Sequence, residues 1–483
     1  MHRFLLTSIL ILLLPTGLTA QNMLWSTPQK ITSRTYFTNI IGQNQNGLYY
    51  FQTSKSERNR HILITALRHD MKLKGRNEFL NSSKESLEKI VLFDNWLAML
   101  YSVRDKKADK ISLYAKMLDP DLKPIGEDKL IFTKNTNDLR TDFFDVITSR
   151  DRKEVMVMIA SSNDSMHNNL QLILLDNNCN IKKKDKLQID LDEDFELKRE
   201  MLIDGTFFAM LSYSRKDGLF KKQKLKILVE KSLDSNKLVL HELYGDNFLT
   251  NKGTLSYDNS SRSLNFTSFY YADDTTKPEG FYQYHVSTVK DSANERKLVF
   301  NPMFMNEVFG RARSTSDLKT LYFMKAVKRS DGGDIFICER KEIDEQQLDD
   351  VSIYGVQSSY VRYYYYFYEI SVLSVNPDGS IDWHKIIKKE QISLNDEGYY
   401  SSFGVQVLDK KLCLIYNDLS RKSSNIMLYQ VKPTGQSDGD IFIKGGDLDG
   451  YAIPKESIQV SSNELLVPVI KLREGFTILK LQY

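Results

Sequence analysis

The 483-residue chain has only three cysteines, Cys179, Cys338 and Cys413, far apart and odd in number. That spacing excludes a disulfide framework and a zinc site, which need paired or closely spaced thiols. Cys338 and Cys413 sit inside apolar runs and read as small buried hydrophobes. Charge of one sign is also missing. Without Arg3, 65 basic residues face 63 acidic ones, too even for a nucleic-acid footprint. The short lysine runs, Lys182 to Lys184 and Lys388–Lys389, are flanked by acids and read as solvated turns and strand edges.

The enzyme templates are absent too: no G-x-S-x-G, H-E-x-x-H, P-loop or G-x-G-x-x-G occurs. His61 and His69, eight apart on an expected strand, are too distant for one metal ion. Asp190, Asp192, Glu193 and Asp194, and likewise Asp447 and Asp449, fall short of the six to eight oxygens a calcium ion takes. Neither a metal nor a cofactor is expected, and no catalytic residue is assigned.

One long apolar run is present and a second is not. Phe4 to Leu14 follows a basic start and precedes Pro15 and the small-residue end Leu18-Thr19-Ala20. This is the pattern of a signal peptide over residues 1–20, too short to span a bilayer. The expected mature chain, 21–483, is exported and not membrane-spanning. A periplasmic or outer-membrane-associated location is expected over an extracellular one, because the chain ends on what reads as a strand rather than a sorting domain.

What the sequence does have is repetition. Apolar or alternating runs of five to nine residues, rich in β-branched and aromatic side chains, are separated by polar turns. Only 86–92 and 301–312 carry any helical pattern. Candidate first strands begin near Tyr36, Lys89, Asp142, Glu196, Gly253, Ser316, Ser401 and Lys455, about 50 to 60 residues apart with one longer unit. In the second unit, "EKIVLF", "NWLAMLYSV", "KISLYAKML" and "EDKLIF" run from modest to apolar to charged. Inner strands covered on both faces and a polar outer strand are what a β-propeller blade requires. The fold class is therefore all-β: a single propeller domain of eight four-stranded blades, or seven if the fifth or sixth unit is misread. Two β-sandwiches are the structural alternative. The last unit offers three strands, and "LWSTPQKIT" (24–32) is the spare that would complete it and close the ring.

The sixth unit departs from the repeat. "DEQQLDDVSIYGVQSSYV" reads as an over-long loop, with the insert at about 344–362, leading into the aromatic run "SSYVRYYYYFYEISVLSV". Tyr366 to Val375 is expected to be inter-blade core. Tyr354, Tyr360, Tyr363 and Tyr364 are the expected contacts with a partner or ligand. "NPDGSIDWHK" reads as a tight hairpin, with Trp383 packed on a strand face.

The stretches "DGGDIFICERKE", "YYYYFYEISVLSVNPDGSIDWHKIIKKEQ" and "GYYSSFGVQVLDKKLCLIYND" together resemble a group of uncharacterised secreted, β-propeller-like proteins of Bacteroidota. The match covers roughly residues 328–420. The resemblance implies fold and lineage and brings no activity with it. Two functions from different classes follow: a non-catalytic binding or scaffold propeller for an envelope protein partner, or a glycan-binding or glycoside-hydrolase-like propeller. The chain is expected to be a monomer or part of a hetero-complex.

Overall fold

The computed structural model describes residues 22–30, 37–53, 61–80, 82, 84–135, 143–160, 169–188, 195–203, 205–217, 221–233, 235, 237–243, 253–258, 261–271, 278–290, 292–300, 302–309, 321–351, 357–419 and 424–483. Eight antiparallel sheets follow one another along the chain. Blade 1 comprises Phe37–Asn44, Gly47–Thr53, His61–Leu67 and Leu73–Leu80. Blades 2 to 7 open with Glu85–Leu92, Phe143–Thr148, Phe195–Ile203, Thr254–Asp258, Leu321–Lys328 and Phe403–Leu408. The expected starts, such as Tyr36, Asp142 and Glu196, lie close to these.

Segment 86–92 is a strand rather than a helix. Its burial rises toward Ile90, Val91 and Leu92, and it pairs with Leu97–Asp105. In the 301–312 stretch, Pro302–Phe309 is helical and drives Phe304 against Phe300, with ring centroids 4.7 Å apart. His61 opens a strand, while His69 lies in the turn beyond it, bonded to the Gln45 carbonyl.

The apolar gradient works as the blade argument requires. Both middle strands of blade 2 are largely buried, whereas outer strands such as Leu238–Glu242 and Ser292–Val299 alternate or stay exposed. Eight hydrophobic clusters result among the described residues, each spanning one pair of neighbouring blades. The cluster joining Leu466, Phe476 and Ile478 of blade 8 to Leu48, Tyr50 and Leu67 of blade 1 closes the ring. The fold is an eight-bladed β-propeller. All three cysteines are buried free thiols.

The N-terminal strand completes blade 8, although its position differs slightly from the expected 24–32. Asn22–Trp25 pairs with Leu479–Gln482, and Gln29 exchanges backbone hydrogen bonds of 2.7 and 2.8 Å with Phe476. Gly475, at φ 105°, allows this approach, since a Cβ there would lie 2.1 Å from the Gln29 carbonyl oxygen. Blade 8 also recruits Gly450–Ala452, a short strand beside Glu464–Lys471 that the three expected strands did not include.

Neighbouring blades are also latched where the chain turns between the third and fourth strands. A fourth-strand side chain donates to a turn carbonyl of the next blade: Asn77 to Leu122, Lys129 to Asn178, Arg296 to Pro377, and the Trp383 indole to Pro433 at 2.8 Å. Trp383 is half-buried in the cluster between blades 6 and 7, the strand-face packing expected of it. Gly435 leaves room for the ring, as a Cβ there would sit 2.8 Å from it. Trp383→Ala should therefore cost about 2 kcal/mol, below the value for a fully buried ring, because one face is solvated. Chemical denaturation checks this, and Trp383→Phe should recover part of the loss.

Candidate functional site

The expected loop at 344–362 is a β-structure. In blade 6 the second and third strands, Asp334–Val351 and Gln357–Val375, stay paired beyond the blade, from Lys341↔Phe367 to Val351↔Gln357. The first strand of the blade accompanies the second only up to Arg340. A third strand, Gln391–Leu394, joins on the other side, pairing with Tyr364 to Phe367. The outcome is a three-stranded arm continuing out of blade 6. The β-forming run Tyr360 to Phe367 needs a ladder partner, and the acidic segment supplies it.

The face of each side chain follows from the register, since directly opposed residues of antiparallel strands share a face. One face carries two cross-rows, Asp344–Tyr364–Leu394 and Glu342–Tyr366–Ile392. The other carries Ile343–Tyr365–Ser393 and Glu345–Tyr363. Apolar side chains stay solvated on both. Ile343 is 62 % exposed, Ile392 52 %, Leu394 46 %, Tyr360 42 %, Val361 40 % and Tyr363 37 %.

The tyrosines stand in a column rather than a floor. Tyr364, Tyr366 and Tyr368 stack at centroid separations of 6.5 and 6.0 Å, with interplanar angles of 24° and 6°. The Arg340 guanidinium caps the lower end, 4.0 Å from the Tyr368 ring, and is held by a bidentate pair to Glu369 at 2.7 and 3.1 Å. Farther out on the arm, and outside this stack, Arg362 lies over Tyr360 and donates to its hydroxyl at 3.1 Å. Burial, with Glu342 beside it, pushes the Tyr368 hydroxyl above its ordinary pKa. Sugar stacking uses a free ring face, and this column turns ring faces toward one another and, at Tyr368, toward Arg340.

The expected contacts thus separate. Tyr360, Tyr363 and Tyr364 are on the arm, whereas Tyr354 lies outside the described residues. Tyr363 is clamped through its backbone: its N–H donates to Asn395 Oδ1 and its carbonyl accepts from Asn395 N, both at 2.9 Å. The expectation that Tyr366 to Val375 is all core needs correction. Phe367 and Ile370 to Val375 are buried, except that Tyr366, Tyr368 and Glu369 are only half-buried. The first strand of the blade ends opposite Arg340, so at that height the arm has left the blade.

Residues that the sequence reading passed over hold the arm at its root. Glu339, fully buried, pairs with Lys389 at 2.8 Å and accepts a 2.7 Å hydrogen bond from Ser402 Oγ. Lys389 also donates to Gln391 Oε1 at 3.0 Å, and the Ser402 N–H donates to the same oxygen at 2.8 Å. Gln391 in turn donates to the Asn417 carbonyl at 2.7 Å. Asn417 reaches the carbonyls of Tyr400 and Ala452 and accepts from the Ala452 N–H, tying blade 6 through blade 7 to blade 8. Gly398, at φ 64°, lets the chain pass under Phe367, where a Cβ would meet the ring at 2.3 Å. Glu339, Lys389, Gln391, Ser402 and Asn417 all belong to the "CERKE", "KKEQ", "GYYSSFG" and "YND" stretches. Charged or amide residues inside apolar runs were the available signal.

Elsewhere, a groove of about 830 Å³ crosses the outer strands of blades 2 to 4, lined by Leu130, Ile181, Lys184 and Leu238. Its buried Lys231 is paired with Asp185 at 3.1 Å. The acids Asp190 and Asp192 to Asp194 lie outside the described residues. Asp447 belongs to the short helix Gly445–Leu448, and Asp449, just after it, pairs with Arg473. Among the described residues no group of three or more His, Cys, Asp or Glu converges as a metal site would, and no helix is long and apolar enough to cross a membrane.

No family model matches the sequence. No curated protein is significantly similar to it. Solved structures similar in outline include the WD40 domain of SCAP from fission yeast, at 9 % identity and TM-score 0.40 over 96 % of this chain and 98 % of that one. The β-propeller domain of the Trilobed protease from Pyrococcus furiosus aligns at 8 % identity and TM-score 0.39, covering 86 % and 98 %. The polysaccharide lyase Uly1 aligns at 9 % and 0.38, covering 93 % and 99 %. At these scores the likeness carries no functional argument.

Proposed function

We propose that this protein is an exported envelope protein, a non-catalytic binding or scaffold propeller that holds a protein partner through the blade 6 arm. The carrying observation is the concentration of exposed apolar side chains, Ile343, Tyr360, Val361, Tyr363, Ile392 and Leu394, on one element. They lie on both faces of the arm, Ile392 and Leu394 on one and Ile343 and Tyr363 on the other, and exposed apolar surface gathered in this way marks interaction sites. The buried network under the arm is consistent with a surface presented in a fixed geometry, which lowers the ordering cost of binding. Residues 1–20 serve as the export signal and the mature chain begins at Gln21. The glycan reading receives less support, because Tyr366 and Tyr368 turn their ring faces toward neighbouring rings and Arg340.

The test is capture from the native envelope with the tagged full chain, alongside the variant Ile343→Ser/Val361→Ser/Ile392→Ser/Leu394→Ser. These side chains are solvated, so folding should be unchanged by circular dichroism while partner recovery drops by at least tenfold. A photo-crosslinker at position 361 should label the same partner. Equal recovery with both proteins, or depletion of one glycan from a mixture with no protein retained, would overturn the proposal.

A further inference from the structure

The charge of the arm narrows the chemistry of its partner. The three strands of the arm, 341–351, 357–367 and 391–394, contain five acids, Glu342, Asp344, Glu345, Asp349 and Asp350, against two bases, Lys341 and Arg362. The full chain has a net charge of +3. With the arm's −3 set aside, the remainder therefore carries +6. Acidity is thus gathered on the one element that also exposes the apolar patch.

The two bases are already engaged within the arm or at its root. Lys341 turns inward, its ammonium 4.2 Å from the Tyr322 ring, and burial lowers its pKa. Arg362 is engaged by Tyr360 farther out on the arm. The acids alternate with apolar groups along both faces: Glu342 and Asp344 flank Tyr366 and Tyr364 on one, and Glu345 neighbours Tyr363 on the other. Carboxylates spaced between tyrosines and aliphatics suit lysine or arginine side chains, whose stems lie on apolar surface while the head group reaches an acid.

Resting on the reading of the arm as a partner-binding element, we propose that what it binds is a cationic segment of another protein, with Lys or Arg interleaved with apolar residues. Complementary charge would speed encounter and reject acidic surfaces.

The probes are two synthetic peptides, alternating lysine–valine and alternating glutamate–valine, titrated against the full chain by fluorescence anisotropy. The lysine peptide should bind on the order of 100-fold more tightly than the glutamate one, and should weaken by about tenfold or more between low and high salt. Glu342→Gln/Asp344→Asn/Glu345→Gln should weaken it by about tenfold, and Ile392→Ser/Leu394→Ser should weaken it as well. Equal binding of both peptides, or unchanged affinity in the neutralised variant, overturns the inference. So does a concentration-dependent dimer that the neutralised variant abolishes, which would make the occupant a second copy of this chain. If capture from the envelope still depends on the arm while the peptides are not discriminated, only the cationic assignment falls. If capture does not depend on the arm, both readings fall.

Discussion

Replacing Glu339 by alanine should destabilise the fold by about 3–5 kcal/mol, the cost of leaving one member of a buried ion pair without its partner. Glu339 and Lys389 are 0 % and 2 % exposed, so water cannot substitute for the missing carboxylate. Burial lowers the Lys389 pKa, and the charge and hydrogen bond of the Glu339 carboxylate raise it again. Without Glu339 the folded-state pKa falls further below the unfolded value near 10.4. Between those two values the unfolded chain binds more protons than the folded one, so stability rises with pH across that window. Glu339→Ala should therefore regain stability as the solution is made alkaline, while the parent protein changes less over the same range. A double variant, Glu339→Leu/Lys389→Met, should recover most of the loss, because an apolar pair carries no desolvation cost. Urea unfolding at neutral and alkaline pH reads all three. A single variant whose stability falls as pH rises would sink this account of the root.

Loss of the ring closure should have an effect of similar size in a different place. Deleting residues 22–30 removes the four-residue ladder to Leu479–Gln482, the paired Gln29–Phe476 hydrogen bonds, and the Ser26 contacts to Thr477 and Ile478. It also uncovers one edge of the blade 8 sheet. At about 1 kcal/mol net per hydrogen bond, with the uncovered Leu479 and Leu481 added, the cost is on the order of 5 kcal/mol or more. The exposed edge should also promote self-association. Because each blade packs only on its neighbours, hydrogen exchange should accelerate most in blades 8 and 1 and least in blades 3 to 5. Uniform acceleration across all eight sheets would show that the ring behaves as one cooperative unit instead.

The arm and the closure differ in how far they could be read beforehand. The blade repeat is local: each strand's alternation, its turn residues and the step from apolar inner to charged outer strands lie within a short window. So the starts at Tyr36, Asp142 and Glu196 and the hairpin at Asn376 to Ser380 came out near their observed places. Segment 86–92 carried a helical pattern as well as the strand "EKIVLF", because a short run of mixed apolar and charged residues fits both periods. The insert read as a loop because Asp344 to Asp350 is poor in strand formers. What makes it a strand is pairing with Ser358 to Tyr364.

The candidate surface divides along the same line. That Tyr360, Tyr363 and Tyr364 leave the core was legible from an aromatic run longer than a blade strand needs. That Ile392 and Leu394 stand in the same cross-rows was not, since they follow the fourth strand and reach the arm only by returning to pair with Tyr364 to Phe367.

By itself the sequence determined the all-β class, the four-strand repeat, the near count of blades and the sharing of the last blade between the two ends of the chain. Hydrophobic period and turn chemistry carry that information along the chain. Only the tertiary structure decided that the sixth unit grows an arm, that Tyr364, Tyr366 and Tyr368 stack with Arg340 against the last ring, and that Glu339, Lys389, Gln391, Ser402 and Asn417 meet at its root. Those outcomes depend on which residues become neighbours once eight sheets close into a ring, and pairings across such distances leave no local period to read.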